Sequence, residues 1–155
     1  MSRRVLHPTD FSKASSAAFA RSLAEARENR SQLVLVHVLS PVIPMAGAGD
    51  AYLSPSVYDQ MSKSAQAWAQ KQMDRLLAKA KAARVRARGL LLEGVAHEQI
   101  VRAAKRQQAG MIIMGTHGRT GIRHALIGSV AEKVVRKAHA AVLTVRSPEQ
   151  KFEKP

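Results

Sequence analysis

Met111-Ile112-Ile113-Met114-Gly115-Thr116-His117-Gly118-Arg119-Thr120-Gly121, continued by Gly128-Ser129-Val130-Ala131-Glu132-Lys133-Val134, is the stretch on which the fold turns. A short apolar run passes into a glycine-spaced loop. The loop leads into a segment whose Val130, Val134, Val135 and Ala138 share one helical face, with Lys133, Arg136 and Lys137 outside it. Strand, loop and helix follow in that order.

The same unit recurs through the chain. Val5-Leu6-His7, Leu33 to Leu39, Val85 to Leu92 and Val142 to Val145 are further apolar runs, and helical patterns separate them at Ser12 to Arg27, Ser54 to Ala83 and Ala96 to Gln108. Alternating strands and helices imply right-handed crossovers and an α/β fold, a parallel sheet with helices on both faces. Leu33-Val34-Leu35-Val36 is continuously apolar, as a strand buried on both faces should be, whereas Val85-Arg86-Ala87-Arg88 alternates like an edge. Strands one, two and four are therefore expected inside the sheet and strand three at its edge. Ser12 is placed to cap the first helix, and Gly110 to end the third.

With 155 residues the chain suits one domain, expected over 1–146, followed by a loose tail at 147–155. Ser40 to Ser54, rich in Pro, Gly and Ala, is the one long loop and the segment expected to move. The absence of cysteine excludes disulfides, thiol nucleophiles and cysteine-bearing metal sites, and fits a reducing cytoplasm. No stretch reaches the roughly 18 apolar residues of a membrane span, and the start lacks the apolar core of a signal peptide. A soluble, cytoplasmic protein is expected, with no membrane partner.

Net charge is +14, so phosphate in any form is an admissible partner. The excess is confined to two segments: Lys63 to Arg88 carries 8 basic against 1 acidic residue, and Val101 to Arg146 carries 9 against 1. Elsewhere the charges nearly cancel.

Open parallel sheets bind ligands beyond the carboxyl ends of their strands, where the strand order reverses. Three such ends carry polar chemistry: Pro8-Thr9-Asp10 after strand one, His37-Val38-Leu39 at the end of strand two, and the glycine loop after strand four. That loop ends at Gly128-Ser129, where a helix start would present N–H groups and a positive dipole end to an anion. It has neither the Walker A pattern nor the dinucleotide fingerprint, and glycines alone are equally consistent with a tight turn.

Gly115-x2-Gly118-x9-Gly128-Ser129 resembles the G-2x-G-9x-G-[S/T] nucleotide-binding signature of the universal stress protein family. Pro8-Thr9-Asp10-Phe11-Ser12 and Val36-His37-Val38 match that family in the same order, and the likeness runs from Arg4 to Arg146. The resemblance implies a five-stranded sheet in the order 3-2-1-4-5, a homodimer, and ATP or another adenine nucleotide at the switch point. The apolar edge strand Val142-Leu143-Thr144-Val145 offers the pairing for that dimer, and any Mg2+ serving slow hydrolysis would be held chiefly by phosphate oxygens and Ser129. On the matching positions, Pro8, Thr9 and Asp10 would lie under the adenosine, with Asp10 accepting hydrogen bonds from adenine or ribose. Val38 would offer its backbone to adenine, and Met114 and Gly115 would line the ribose. Gly118, Gly128, Ser129 and Val130 would wrap the phosphates. Gly110 and Ala141 depart from the family's usual Asp before strand four and Pro before strand five, a difference that touches local geometry only.

Other readings stand beside these. Asp10 could serve only as a helix cap. His7 and His37 read as packed, hydrogen-bonded histidines rather than metal ligands. His117 and Arg119 either reach a phosphate or decorate a solvated basic loop with Arg123 and His124. Lys71, Arg75 and Lys79 form one basic stripe on the second helix, either a solvated face or a contact for nucleic acid; Trp68 is expected to pack there with Met61, Ala65 and Leu76. No Ser-His-Asp order or paired carboxylates suggest a hydrolase, and His7-Pro8-Thr9-Asp10 lacks the H-x-G-H of nucleotidyl transferases. A nucleotide-binding stress sensor or regulator, not an enzyme, is the expected function. A nucleic-acid-binding module and a slow ATP hydrolase are the alternatives.

Overall fold

The computed structural model describes residues 4–41, 54–116 and 127–147. Five strands and four helices alternate: β1 Arg4–Pro8, α1 Lys13–Glu28, β2 Gln32–Leu39, α2 Pro55–Ala82, β3 Ala87–Glu93, α3 Ala96–Arg106, β4 Ala109–Gly115, α4 Ser129–Lys137 and β5 Ala141–Val145. All pairings are parallel and the sheet order is β3-β2-β1-β4-β5. The order is the one implied by the family resemblance, with β1, β2 and β4 inside and β3 at an edge.

Two apolar layers hold helices to the sheet. On one face Val5, Leu33, Leu35 and Ile113 pack with Phe19 and Ala26 of α1 and Met73 and Ala80 of α2. On the other, Leu6, Val34, Val36, Ile112 and Met114 meet Ile100, Ala103 and Ala104 of α3 and Ala131 and Val134 of α4. Neighbouring residues of β2 thus serve opposite layers, which is why Leu33-Val34-Leu35-Val36 has no polar position. Gly89 of β3 admits α2: a Cβ there would lie 2.5 Å from the Met73 Cγ.

The first three helices leave through the same left-handed turn, but not through glycine. Arg30, Arg84 and Gln108 have φ of 48°, 58° and 52° at the second position past α1, α2 and α3. Ser31 N donates to Ala26 O at 2.8 Å and Val85 N to Ala80 O at 2.9 Å, which closes the carbonyls left open at both helix ends. Gly110, expected to end α3, instead lies inside β4. Val85, expected in strand three, belongs to the turn before it and is buried at 6% exposure; its apolar side chain fills the core from outside the ladder.

Helix α2 outruns the sheet it covers. From Ser54 to Trp68 only Tyr58 is even half-buried. Met61 and Trp68, expected to pack together on this helix, are 47% and 42% exposed, because no strand lies beneath that half of the helix. Trp68 instead meets Phe11 edge to face, with ring centres 5.6 Å apart at 82°.

Candidate functional site

The chain runs β1 to β2 to β3 on one side of the sheet and then crosses to β4 and β5 on the other, so the strand order reverses between β1 and β4. Leu6 pairs with Ile112, so both strands end at the same pole, at Pro8 and Gly115. Diverging loops leave a crevice at such a point.

At the end of β1 the backbone is fastened before it turns. Thr9 N donates to Val36 O at 2.8 Å, and the Thr9 carbonyl accepts from His37 Nδ1 at 2.8 Å. The Thr9 hydroxyl accepts from Phe11 N at 3.0 Å and shares a 3.1 Å hydrogen bond with Ser15 Oγ. Thr9 is therefore spent on the turn. Phe11 follows at φ 61°, an uncommon conformation for a bulky residue. Its ring lies 4.4 Å from that of His37, so His37, Phe11 and Trp68 form a short aromatic wall beside Asp10.

Asp10 does two things with two oxygens. Oδ1 accepts from Ser12 N at 3.0 Å and from Ser12 Oγ at 2.6 Å. Ser12 Oγ in turn accepts from Ser15 N at 3.3 Å as the N-cap of α1. The cap is thus Ser12, and Asp10 holds it from behind. Oδ2 is buried and has no hydrogen-bond partner among the described residues. Buried carboxylate oxygens are normally satisfied, so this one is suited to a donor from outside the protein.

Val38 presents backbone rather than side chain. Val36 O faces β1, while Leu39 O accepts from Gly94 N beyond β3. By the alternation of a strand, Val38 N–H and C=O point toward β1, which has already ended at Pro8.

Across the crevice, Met114 is buried in the α3–α4 layer and Gly115 closes β4 opposite Val145. Thr116 N donates to Val145 O at 3.0 Å, and Gly128 N donates to the Thr116 carbonyl at 2.6 Å. The second bond brings the chain back, twelve positions later, to the strand it left. It sets the start of α4 beside the end of β4. Gly128 is the N-cap residue at φ −71° and ψ 157°, values open to any residue, and no side chain caps the helix. Ser129 and Val130 are exposed in the first turn, where N–H groups and the helix dipole favour an anion.

Eight of the candidate residues, Pro8, Asp10, Val38, Met114, Gly115, Gly128, Ser129 and Val130, lie at one pole, at the carboxyl ends of β1, β2 and β4 or at the start of α4, with the Thr9 hydroxyl engaged in the turn. Gly118 and Arg119 lie outside the described residues, as do His117, Arg123 and His124. Thr116 and Phe11 fall inside the quoted motifs without a role of their own, since one acts through its backbone and the other through an unusual φ.

His7 and His37 are packed and hydrogen-bonded. His7 lies fully inside, its Nδ1 donating to Ile113 O at 2.8 Å, its ring 5.8 Å from Phe19, and its Nε2 without a partner among the described residues. Burial drives its pKa down from the ordinary 6.5 to about 4, against smaller upward pulls from the Ile113 bond and the Asp10 charge. No group of three or more metal-ligating side chains occurs among the described residues, and no helix among them is long and apolar enough to cross a membrane.

Comparison with known proteins gives a consistent result. The model of the Universal stress protein family matches residues 1–146. Universal stress protein MJ0531 of Methanocaldococcus jannaschii is 29% identical over 150 residues, covering 96% of this chain and 84% of that protein. The solved structure of the hypothetical protein MJ0577 superimposes with a TM-score of 0.81 at 26% identity, over 94% of this chain and 96% of that chain. A universal stress protein solved in complex with cAMP has a TM-score of 0.66 at 22% identity, covering 94% of this chain and 98% of that one. The Archaeoglobus fulgidus protein in complex with dAMP has a TM-score of 0.64 at 20% identity, again over 94% and 98%.

Proposed function

The chain belongs to the universal stress protein family, and from that premise we propose that it binds ATP or a related adenine nucleotide between β1 and β4, acting in the cytoplasm as a stress-response sensor or regulator. The observation that carries this reading is the buried Asp10 Oδ2, which has no partner among the described residues; it follows β1 at the same pole as the start of α4. A carboxylate oxygen suits a ribose hydroxyl or the adenine amino group, and a helix start suits phosphate. Val38 adds one backbone donor and one acceptor at the strand end, where an adenine edge would pair. Relatives solved with cAMP and dAMP support an adenine nucleotide as the class of ligand.

Pro8 and Thr9 form the floor under the adenosine, Met114 and Gly115 its ribose side, and Gly128, Ser129 and Val130 the phosphate cradle, with Gly118 and Arg119 completing it. Mg2+ would be held mainly by phosphate oxygens and the Ser129 hydroxyl. Phosphoryl transfer needs a positioned base and a metal-binding carboxylate, and Asp10 is already committed to Ser12 through one oxygen. Binding without turnover is accordingly the proposed role.

Asp10→Asn is the sharpest test, because it keeps an acceptor for Ser12 and turns the second oxygen into an N–H donor. Titration calorimetry is expected to show ATP affinity at least about tenfold weaker for this variant, with unchanged thermal stability, as for loss of a charge-assisted hydrogen bond. A wild type that neither copurifies with nor binds an adenine nucleotide at millimolar concentration would overturn the proposal.

The homodimer through β5 rests on a different observation. β5 has a neighbour on one side only, and Val130 and Val135 of the adjoining α4 are 37% and 48% exposed. Strand pairing about a two-fold axis would cover both. Light scattering at micromolar concentration is expected to read twice the chain mass of 16.9 kDa; a monomer there would count against the interface.

A further inference from the structure

In a parallel sheet with returning helices, every helix ends at the amino edge of the strands, the pole opposite the crevice. Each of the four helices carries a cation in its last turn, among them Arg27 in α1, Lys81 in α2, Arg106 in α3 and Lys137 in α4. Helix dipoles account for these. They do not account for Arg30, Arg84 and Arg86, which stand outside the helices.

Arg30 and Arg84 hold the left-handed positions after α1 and α2, where glycine would be unstrained. Arg86 lies just before β3, with its carbonyl accepting from Leu33 N at 2.9 Å. Two clefts meet at Arg84-Val85-Arg86. One, of about 590 Å3, is bounded also by Lys81 and the end of α2; the other, of about 190 Å3, is bounded by Arg27 and Arg30 at the end of α1. Arg27, Arg30, Lys81, Arg84 and Arg86 are all exposed and form no ion pair among the described residues. At this end of α1, Glu25 is taken up by Arg21 and Asn29, which leaves Glu28 as the nearby acid. Asp10, Asp59, Glu93 and Glu98 all lie toward the other pole, at strand ends or helix starts.

We propose that this basic pole docks the phosphodiester backbone of a nucleic-acid duplex. Cations that straddle two clefts around a shared wall suit an extended, repeating anion better than one phosphate group. Guanidinium groups make up four of the five charges around the clefts, and their paired N–H donors match phosphate oxygens. Among the described residues no aromatic side chain lines either cleft, so these walls offer no platform for unstacked bases. Contacts of this kind position a duplex without reading its sequence. The proposal is independent of the nucleotide site and is measured without nucleotide.

Fluorescence anisotropy with the full chain and labelled, random-sequence DNA and RNA duplexes tests it. Binding is expected near 50 mM salt, with a log–log salt slope of roughly −3 to −5 from phosphate neutralisation. Arg84→Glu with Arg86→Glu is expected to weaken binding at least about tenfold and to flatten the slope by about 2. Lys63→Glu with Lys71→Glu makes the same change of net charge on α2 away from the pole and is expected to cost about twofold or less. Arg30→Gly with Arg84→Gly removes two charges while relieving two left-handed residues. It should fold at least as stably as the wild type and still lose several-fold in affinity. If both duplexes fail to bind, or if the two charge-reversed pairs lose equally, the proposal falls. Displacement of duplex by poly-glutamate at equal charge concentration would also overturn it, by assigning the pole to acidic proteins.

Discussion

Acidifying the protein from pH 7 to pH 4 is expected to remove about 3 kcal/mol of folding stability through His7 alone. The imidazole is fully enclosed between the sheet and Phe19, and its folded pKa lies near 4 against 6.5 in the unfolded chain. A depressed folded pKa means that the unfolded state takes up the proton first. The stability is therefore whole above pH 6.5 and is lost progressively as pH falls toward 4. A difference of about 2.5 units at 1.36 kcal/mol each sets the size, and full burial leaves no solvent screening to reduce it. Urea titrations of the wild type and His7→Phe at several pH values isolate the effect. Phenylalanine keeps a ring beside Phe19 and cannot titrate, so its stability should change less than that of the wild type by about 3 kcal/mol between pH 7 and 4. Parallel curves for the two proteins would show that His7 is not the group responsible.

Leu35→Ala is expected to cost about 3 to 5 kcal/mol, the largest loss from any single side chain considered. Leu35 is fully buried in the middle of β2, with β1 on one side and β3 on the other, under a layer shared by α1 and α2. Its three missing heavy-atom positions cannot be refilled by strands fixed on both sides, so the transfer loss is joined by a cavity. Leu143→Ala on edge strand β5 is the comparison, since that residue is half-buried and its strand has one neighbour. A cost of about 1 to 2 kcal/mol is expected there. Equal losses at the two positions would mean that the core is not organised around β2 as described.

The strands and helices were legible because each carries its own period. Leu33 to Val36 are apolar without a break and lie inside; of the apolar stripe Val130, Val134, Val135 and Ala138, Val134 is fully buried while Val130 and Val135 are exposed. Helix ends were less legible. Gly110 suits a helix stop by residue type, yet the left-handed turn falls at Gln108 and Gly110 lies inside β4, so the glycine preference at a helix end did not place this one. Trp68 misled for a related reason. Its spacing suits a packed helix face, but the sheet ends before that half of α2, and the ring's neighbour is Phe11, far off in sequence.

The candidate site divides in the same way. Asp10 and the Gly128-Ser129 pair stand out in the sequence by residue type and spacing, whereas the use made of Asp10 does not. One oxygen braces Ser12 and the other is left unpartnered, a division set by the turn that Thr9 and Phe11 hold in place. The bond from Gly128 to the Thr116 carbonyl is equally silent in the sequence, because a backbone donor carries no residue signature.

Composition and periodicity alone determined that this chain is one α/β domain with a parallel sheet, a glycine-marked loop and a surplus of fourteen positive charges. These properties belong to single residues and their local repeats. The tertiary structure decided where the charges meet. Arg27, Arg30, Lys81, Arg84 and Arg86 lie in separate stretches of the chain and come to one pole because parallel strands send every helix end to the same edge of the sheet.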